Sequence, residues 1–126
     1  MLCDLDFDLD EGEFVSIIGA SGCGKTTFLE LLAGITLPDR GEICYEGKQI
    51  TGKSGILGYM PQDDLLLPWL DTIGNILLPA RVQSRDVKAL KHKIADLLPT
   101  FGLEDFSHHL PWQLSGGLKQ RVALAR

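Results

Sequence analysis

An α/β fold, in which a strand runs into a phosphate-binding loop and the loop into a helix, is predicted by three features of the chain. Gly19-Ala20-Ser21-Gly22-Cys23-Gly24-Lys25-Thr26 fits the P-loop pattern G-x-x-x-x-G-K-[ST] without a mismatch. Phe14-Val15-Ser16-Ile17-Ile18 before it is a short, mostly apolar run with β-branched residues, which reads as a strand. After it, Phe28, Leu29, Leu31, Leu32 and Ile35 recur with helical spacing. A plain Gly-rich loop with an exposed lysine would explain neither flank.

The chemistry of the loop follows from that order. Glycines let the backbone fold tightly around an anion, so amides from about Gly22 to Thr27 point inward at the start of a helix whose dipole favours negative charge. Lys25 then reaches the β- and γ-phosphates of a nucleoside triphosphate, and the Thr26 hydroxyl is placed as an oxygen ligand for a bridging magnesium ion. Cys23 contributes only backbone. The candidate nucleotide-binding residues here are Gly19, Ala20, Ser21, Gly22, Cys23, Gly24, Lys25, Thr26 and Thr27.

Size and composition bound the rest. One domain is the most that 126 residues suggest, and 44% hydrophobic with 23% charged residues is ordinary for a soluble globular chain. A net charge of −5 without any Lys/Arg block argues against a nucleic-acid surface, which needs a clustered basic footprint. Acidity does not exclude ATP. Surface charge is screened over about 8 Å, whereas charge-assisted hydrogen bonds at the phosphates contribute about 1.5–3 kcal/mol each. Cys3, Cys23 and Cys44 are odd in number and widely spaced, so neither a disulfide framework nor a zinc site is indicated, and a reducing, cytosolic compartment fits. No apolar run approaches the roughly 20 residues of a membrane span, so membrane association is expected to go through a partner.

Along the chain, Leu5, Phe7 and Leu9 alternate with Asp4, Asp6, Asp8 and Asp10, which predicts a strand with one buried face and solvated aspartates on the other. Glu11-Gly12 turns into the P-loop strand. Pro38-Asp39-Arg40-Gly41 is a turn, and Glu42-Ile43-Cys44-Tyr45 with Glu46-Gly47 predicts a strand and tight turn within a small antiparallel sheet. Gly55 to Met60 reads as another core strand, ending at Pro61. Helical spacing runs from Thr72 to about Ser84 and from Asp86 to Phe101, where Val87, Leu90, Ile94, Leu97 and Leu98 form an apolar stripe. Lys88, Lys91 and Lys93 read as a wet face, and Gly102 as the C-terminal cap. Leu118, Val122 and Leu124-Ala125 predict a last helix with Ser115 at its start. His92, His108 and His109 lack a metal-ligand spacing and read as surface residues.

Two further motifs join the P-loop: Gln62 just after a strand, and Leu114-Ser115-Gly116-Gly117 just before a helix. Ser-Gly-Gly alone is an ordinary N-cap and turn. At a helix N-terminus it is also a second phosphate-facing device, for the same amide and dipole reasons as the P-loop. With these three motifs the chain resembles the ATP-binding cassette (ABC) ATPases, over its whole length. The resemblance implies a head-to-tail dimer, in which ATP and Mg²⁺ on one subunit's P-loop are capped by Ser115, Gly116 and Gly117 of the other. Gln120-Arg121 matches the family's continuation, whereas Leu118 stands where the most familiar form has glutamine. Gln62 resembles the family's Q-loop glutamine, which reaches the magnesium ion or the attacking water, so Lys25 and Gln62 are the candidate catalytic residues and Thr26 and Gln62 the candidate metal ligands. The flank Leu65-Leu66-Leu67-Pro68-Trp69 looks like that of bacterial importers for nitrate, sulfonates or taurine. It implies a seat against an integral membrane permease, served indirectly by a solute-binding protein, with purely intramolecular packing as the alternative.

The implied fold class is therefore α/β: a partial P-loop NTPase core with a small antiparallel β subdomain, and a helical subdomain carrying the signature motif. Residues 1–62 would form the P-loop core and antiparallel part, 63–115 the Q-loop and helical subdomain, and 116–126 the start of the signature helix. The family's Walker B aspartate and catalytic glutamate are expected beyond Arg126, and its adenine-stacking aromatic before Met1. Phe14 to Ile18, apolar on both faces, is expected to expose an unpaired core edge without further strands. The function implied is the ATP-hydrolysing subunit of an importer, held at the cytoplasmic face of the membrane through its permease. Its rivals are a nucleotide-binding module without hydrolysis and a DNA-repair-type ABC ATPase, whose heptads or basic stretches residues 72–101 lack.

Overall fold

The computed structural model describes residues 2–126, without the side chains of Val87, Lys88, Ala89 and Lys91. It divides into two compact units, Met1–Tyr59 and Met60–Arg126. The Val87 position in the apolar stripe and the Lys88 and Lys91 positions on the wet face lie outside the described residues.

Unit 1 is built around helix α1, Lys25–Leu32, and a two-stranded antiparallel sheet of β1, Cys44–Tyr45, and β2, Lys48–Gln49. Cys44 pairs with Gln49 and Tyr45 with Lys48. Glu46 (φ 50°) and Gly47 (φ 70°) both take the left-handed conformation that a two-residue type I′ hairpin requires. The ladder continues as Ile50 N–H donates to the Ile43 carbonyl at 2.8 Å, which leaves Ile50 buried. Past α1 the chain turns at Gly34 (φ 70°), where an added Cβ would come within 2.5 Å of the Lys53 carbonyl oxygen. Only glycine allows this close passage of two backbones.

Three expected strands are absent as ladders among the described residues. Leu5–Leu9 and Phe14–Ile18 carry no regular secondary structure, and Gly55–Leu57 forms a turn and bend. An apolar or alternating pattern encodes which faces want burial, but a strand exists only when a neighbour accepts its hydrogen bonds. Among the described residues of unit 1 the only ladder is that of β1 and β2, and Phe14 and Ile18 stay 90% and 94% exposed. Leu5–Leu9 is placed instead by side chains: the Phe7 ring meets Phe28 of α1 edge-on, with centroids 5.7 Å apart. Ile35, read as part of the P-loop helix, lies beyond its end and is exposed.

Unit 2 is helical: α2 spans Thr72–Ile76, α3 Leu78–Val82, α4 Val87–Phe101 and α5 Gly116–Ala125. The single helix expected from Thr72 to Ser84 is split at Leu77. Pro79 has no N–H to return to the turn before it, so the ladder is interrupted there. Asp71 caps α2 by accepting from the Gly74 N–H at 2.7 Å. α4 ends in a Schellman turn, with Leu103 N–H donating to the Leu98 carbonyl and Gly102 N–H to the Pro99 carbonyl, and Gly102 at φ 61°. α5 packs against both α2 and α4. Together they bury Leu66, Ile76, Leu77, Ile94, Leu98, Leu103, Leu114 and Val122 in one cluster, with Leu103 and Val122 fully excluded from solvent.

Candidate functional site

The P-loop sits where its local chemistry requires. Gly22 and Gly24 take φ of 79° and 98°, and Gly24 is the N-cap from which α1 starts at Lys25. The first turn of a helix has amides without an intrahelical acceptor, so those of Lys25, Thr26 and Thr27 face the loop side unpaired along the ladder. The Lys25 Nζ is folded back over the loop, donating to the Gly19 carbonyl at 2.8 Å, to the Ala20 carbonyl at 2.8 Å and to Cys23 Sγ at 3.6 Å. An added Cβ on Gly19 would meet that Sγ at 2.6 Å. The Cys23 side chain thus touches the Lys25 ammonium and fills the space over Gly19. Ala20 closes the turn by accepting from the Cys23 N–H at 3.3 Å, and Ser21, Thr26 and Thr27 are exposed. The result is a ring of backbone donors, one ammonium and hydroxyls, open to solvent. This set suits a polyphosphate, and the hydroxyl suits a hard, oxygen-seeking cation.

In unit 2, Ser115 is the N-cap of α5, and its Oγ accepts from the Leu118 N–H at 3.4 Å. Gly116 and Gly117 follow in the first turn. Neither has a left-handed φ, and a Cβ added to either would meet nothing within 4 Å. Glycine in a helix costs roughly 1 kcal/mol relative to alanine, and at these two positions no contact among the described residues accounts for it. Gln62 is exposed in a bend after Pro61.

The apolar flank after Gln62 is partly covered by its own unit. Leu66 joins the core, whereas Leu65 and Trp69 stay 60% and 71% exposed. Two residues that sequence reasoning did not single out shape this loop. Asn75, fully buried in α2, accepts from the Leu67 N–H at 2.8 Å and donates Nδ2 to the carbonyls of Leu67, Leu70 and Asp71 at 3.2, 3.0 and 3.1 Å. Arg126, at the end of α5, donates Nη1 to the Leu65 carbonyl at 2.7 Å and Nη2 to the Asp64 carbonyl at 2.9 Å. A polar residue between Ile73 and Ile76 on an apolar helix was the available sign for Asn75. Arg126 left no such sign.

The histidines are not equivalent. His92 is exposed, His109 meets the Phe106 ring edge-on at 5.3 Å, and His108 Nδ1 lies 3.3 Å from Asp71 Oδ2. The His108 side chain is 82% exposed, and a pair so open to water adds little stability. Among the described residues no helix is long and apolar enough to cross a membrane.

Comparison with known proteins agrees with this assembly of motifs. The family model described as ABC transporter matches residues 2–126. The chain is 42% identical to the ABC transporter ATP-binding protein YtlC of Bacillus subtilis (strain 168), over 98% of its length and 47% of the relative's. It is 42% identical to the aliphatic sulfonates import ATP-binding protein SsuB 1 of Xanthomonas axonopodis pv. citri, over 100% of the chain and 50% of that protein. With the taurine import ATP-binding protein TauB of Pseudomonas aeruginosa it shares 37% identity, over 100% of the chain and 48% of the relative. The dimeric ATP-binding cassette MJ0796, solved in a post-hydrolysis state with ADP and Pi, superposes with a TM-score of 0.80 at 32% identity, covering 94% of this chain and 57% of that one. The chain spans about half the length of the relatives it matches. It belongs to the ABC transporter family, and its fold is that of the P-loop ATPase cassettes.

Proposed function

We propose that this member of the ABC transporter family is the nucleotide-binding part of an importer's ATPase subunit, with a small anion such as taurine, a sulfonate or nitrate as solute. The observation that carries the reading is the P-loop itself: Lys25 poised over Gly19 and Ala20 at the N-terminus of α1, with left-handed glycines shaping the turn. In this reading the amides from Gly22 to Thr27 bind phosphate and Lys25 leaves its carbonyl partners for the γ-phosphate. Magnesium, when bound, offsets the phosphate charge, with Thr26 as its hydroxyl ligand and Gln62 assigned by resemblance to the metal or the attacking water. Ser115, Gly116 and Gly117 serve the nucleotide of a second copy. Open space beside both glycines supports this, because a partner's phosphate could approach the backbone there.

The exposed Leu65 and Trp69 support a permease as the second partner, which would hold the subunit at the cytoplasmic face of the membrane. The named solutes of the sulfonate and taurine relatives support the solute class. Hydrolysis, solute and partners are properties of a subunit of the relatives' full length, and the assays belong there. Lys25→Ala is expected to weaken ATP binding at least 100-fold in a nucleotide titration, and unchanged affinity would remove the P-loop reading. Trp69→Ala is expected to leave ATP affinity unchanged while abolishing stimulation of hydrolysis by the permease. Equal loss of nucleotide affinity would contradict a docking role.

A further inference from the structure

We infer that Arg126 is a positioning residue that ties the nucleotide-capping helix α5 to the apolar loop Leu65–Trp69, so that displacement at one end of the helix is transmitted to the other. The inference rests on the two roles proposed above for Ser115–Gly117 and for the loop.

α5 is a ten-residue rod of about 15 Å. Val122 on α5 is fully buried against the core, which resists bending or slippage of the helix within unit 2. Its N-terminal end carries Ser115–Gly117 and its C-terminal end carries Arg126. There the guanidinium holds two successive carbonyls, Asp64 and Leu65, through two different nitrogens. A planar fork fixes both partners in one mutual geometry, whereas a lysine ammonium is a rotatable point charge.

The gripped segment is also one that needs holding. Leu65 takes φ 47°, uncommon for a branched, non-glycine residue, and its side chain is exposed rather than packed. Such a conformation persists where the neighbours over-determine it. Here Arg126 fixes the carbonyls of Asp64 and Leu65, Asp64 Oδ1 accepts from the Leu66 N–H at 3.0 Å, and Asn75 fixes Leu67 and Leu70 from α2. The loop is therefore suspended between two helices. Asn75 ties it to α2 and Arg126 to α5, and only α5 leads to the nucleotide-capping motif.

Amide hydrogen exchange of the full-length subunit, with and without the non-hydrolysable analogue β,γ-imido-ATP, tests the link. In the wild type the nucleotide should slow exchange across residues 19–27 and change it across residues 65–70. In Arg126→Ala and Arg126→Lys the protection at 19–27 should remain, while the nucleotide-dependent change at 65–70 falls at least threefold. A purely structural cap would raise loop exchange equally with and without nucleotide and leave that difference intact. An undiminished difference in either soluble variant overturns the inference, as does a wild-type loop that ignores nucleotide while residues 19–27 are protected. Absence of protection at 19–27 in the wild type instead overturns the nucleotide-binding reading beneath it. Arg126→Lys keeps the charge and the stem, so the test survives should Arg126→Ala not fold.

Discussion

Among the described residues, unit 1 buries only Ala33 and Ile50 of its hydrophobic side chains, whereas unit 2 buries eight in one continuous cluster. Both are rich in apolar residues. The difference lies in the kind of secondary structure each pattern demands. A helix satisfies its backbone within one segment, so α2, α4 and α5 need only pack their apolar faces together. A strand satisfies its backbone only through a neighbour, and among the described residues Phe14–Ile18 joins no ladder. The P-loop is nonetheless formed, because its geometry depends on glycine conformations and the first turn of α1 rather than on a sheet. The P-loop conformation and the main hydrophobic core thus lie in separate parts of this chain.

Replacements at matched apolar and polar positions can break that contrast. Leu103→Ala in the centre of unit 2 is expected to cost about 2–5 kcal/mol of unfolding free energy in a denaturant titration, and a loss below 1 kcal/mol would mean that unit 2 has no rigid core of its own. Asn75→Ala, which strands the buried polar groups of Leu67 and Leu70, is expected to cost about 1–3 kcal/mol. The same variant should loosen the Leu65–Trp69 loop, seen as faster amide exchange there. Ile18→Ser, at a position 94% exposed, is expected to change stability by less than about 0.5 kcal/mol and to raise solubility. A large destabilisation by that change would mean that the segment Phe14–Ile18 is buried in the folded protein.

The legibility of the sequence follows the same division. The P-loop, the Glu46-Gly47 hairpin, the Gly102 cap and the Ser115 cap were all readable, because each is set by a few adjacent residues whose conformational preferences act locally. The apolar stripe of α4 was readable as well, with Ile94 and Leu98 in the core as its period requires. The strands at Leu5–Leu9, Phe14–Ile18 and Gly55–Met60 were read from patterns that state which faces want burial without naming the neighbour that provides it. Leu77 divides the expected Thr72–Ser84 helix because Pro79 withdraws one donor, a local effect that outweighed the helical period.

The sequence by itself determined that this chain carries a P-loop leading into a helix of its own, and which family it resembles. Those conclusions rest on residues contiguous in the chain, whose glycine torsions, helix dipoles and caps need no distant partner. Tertiary structure alone decided that Leu66 is core while Leu65 and Trp69 face solvent, and that the loop between them hangs from Asn75 and Arg126. Arg126 lies 61 residues from Leu65. A hydrogen bond across that separation depends on where α5 comes to rest against α2 and α4, which burial of Val122 and Leu103 sets and no local pattern encodes.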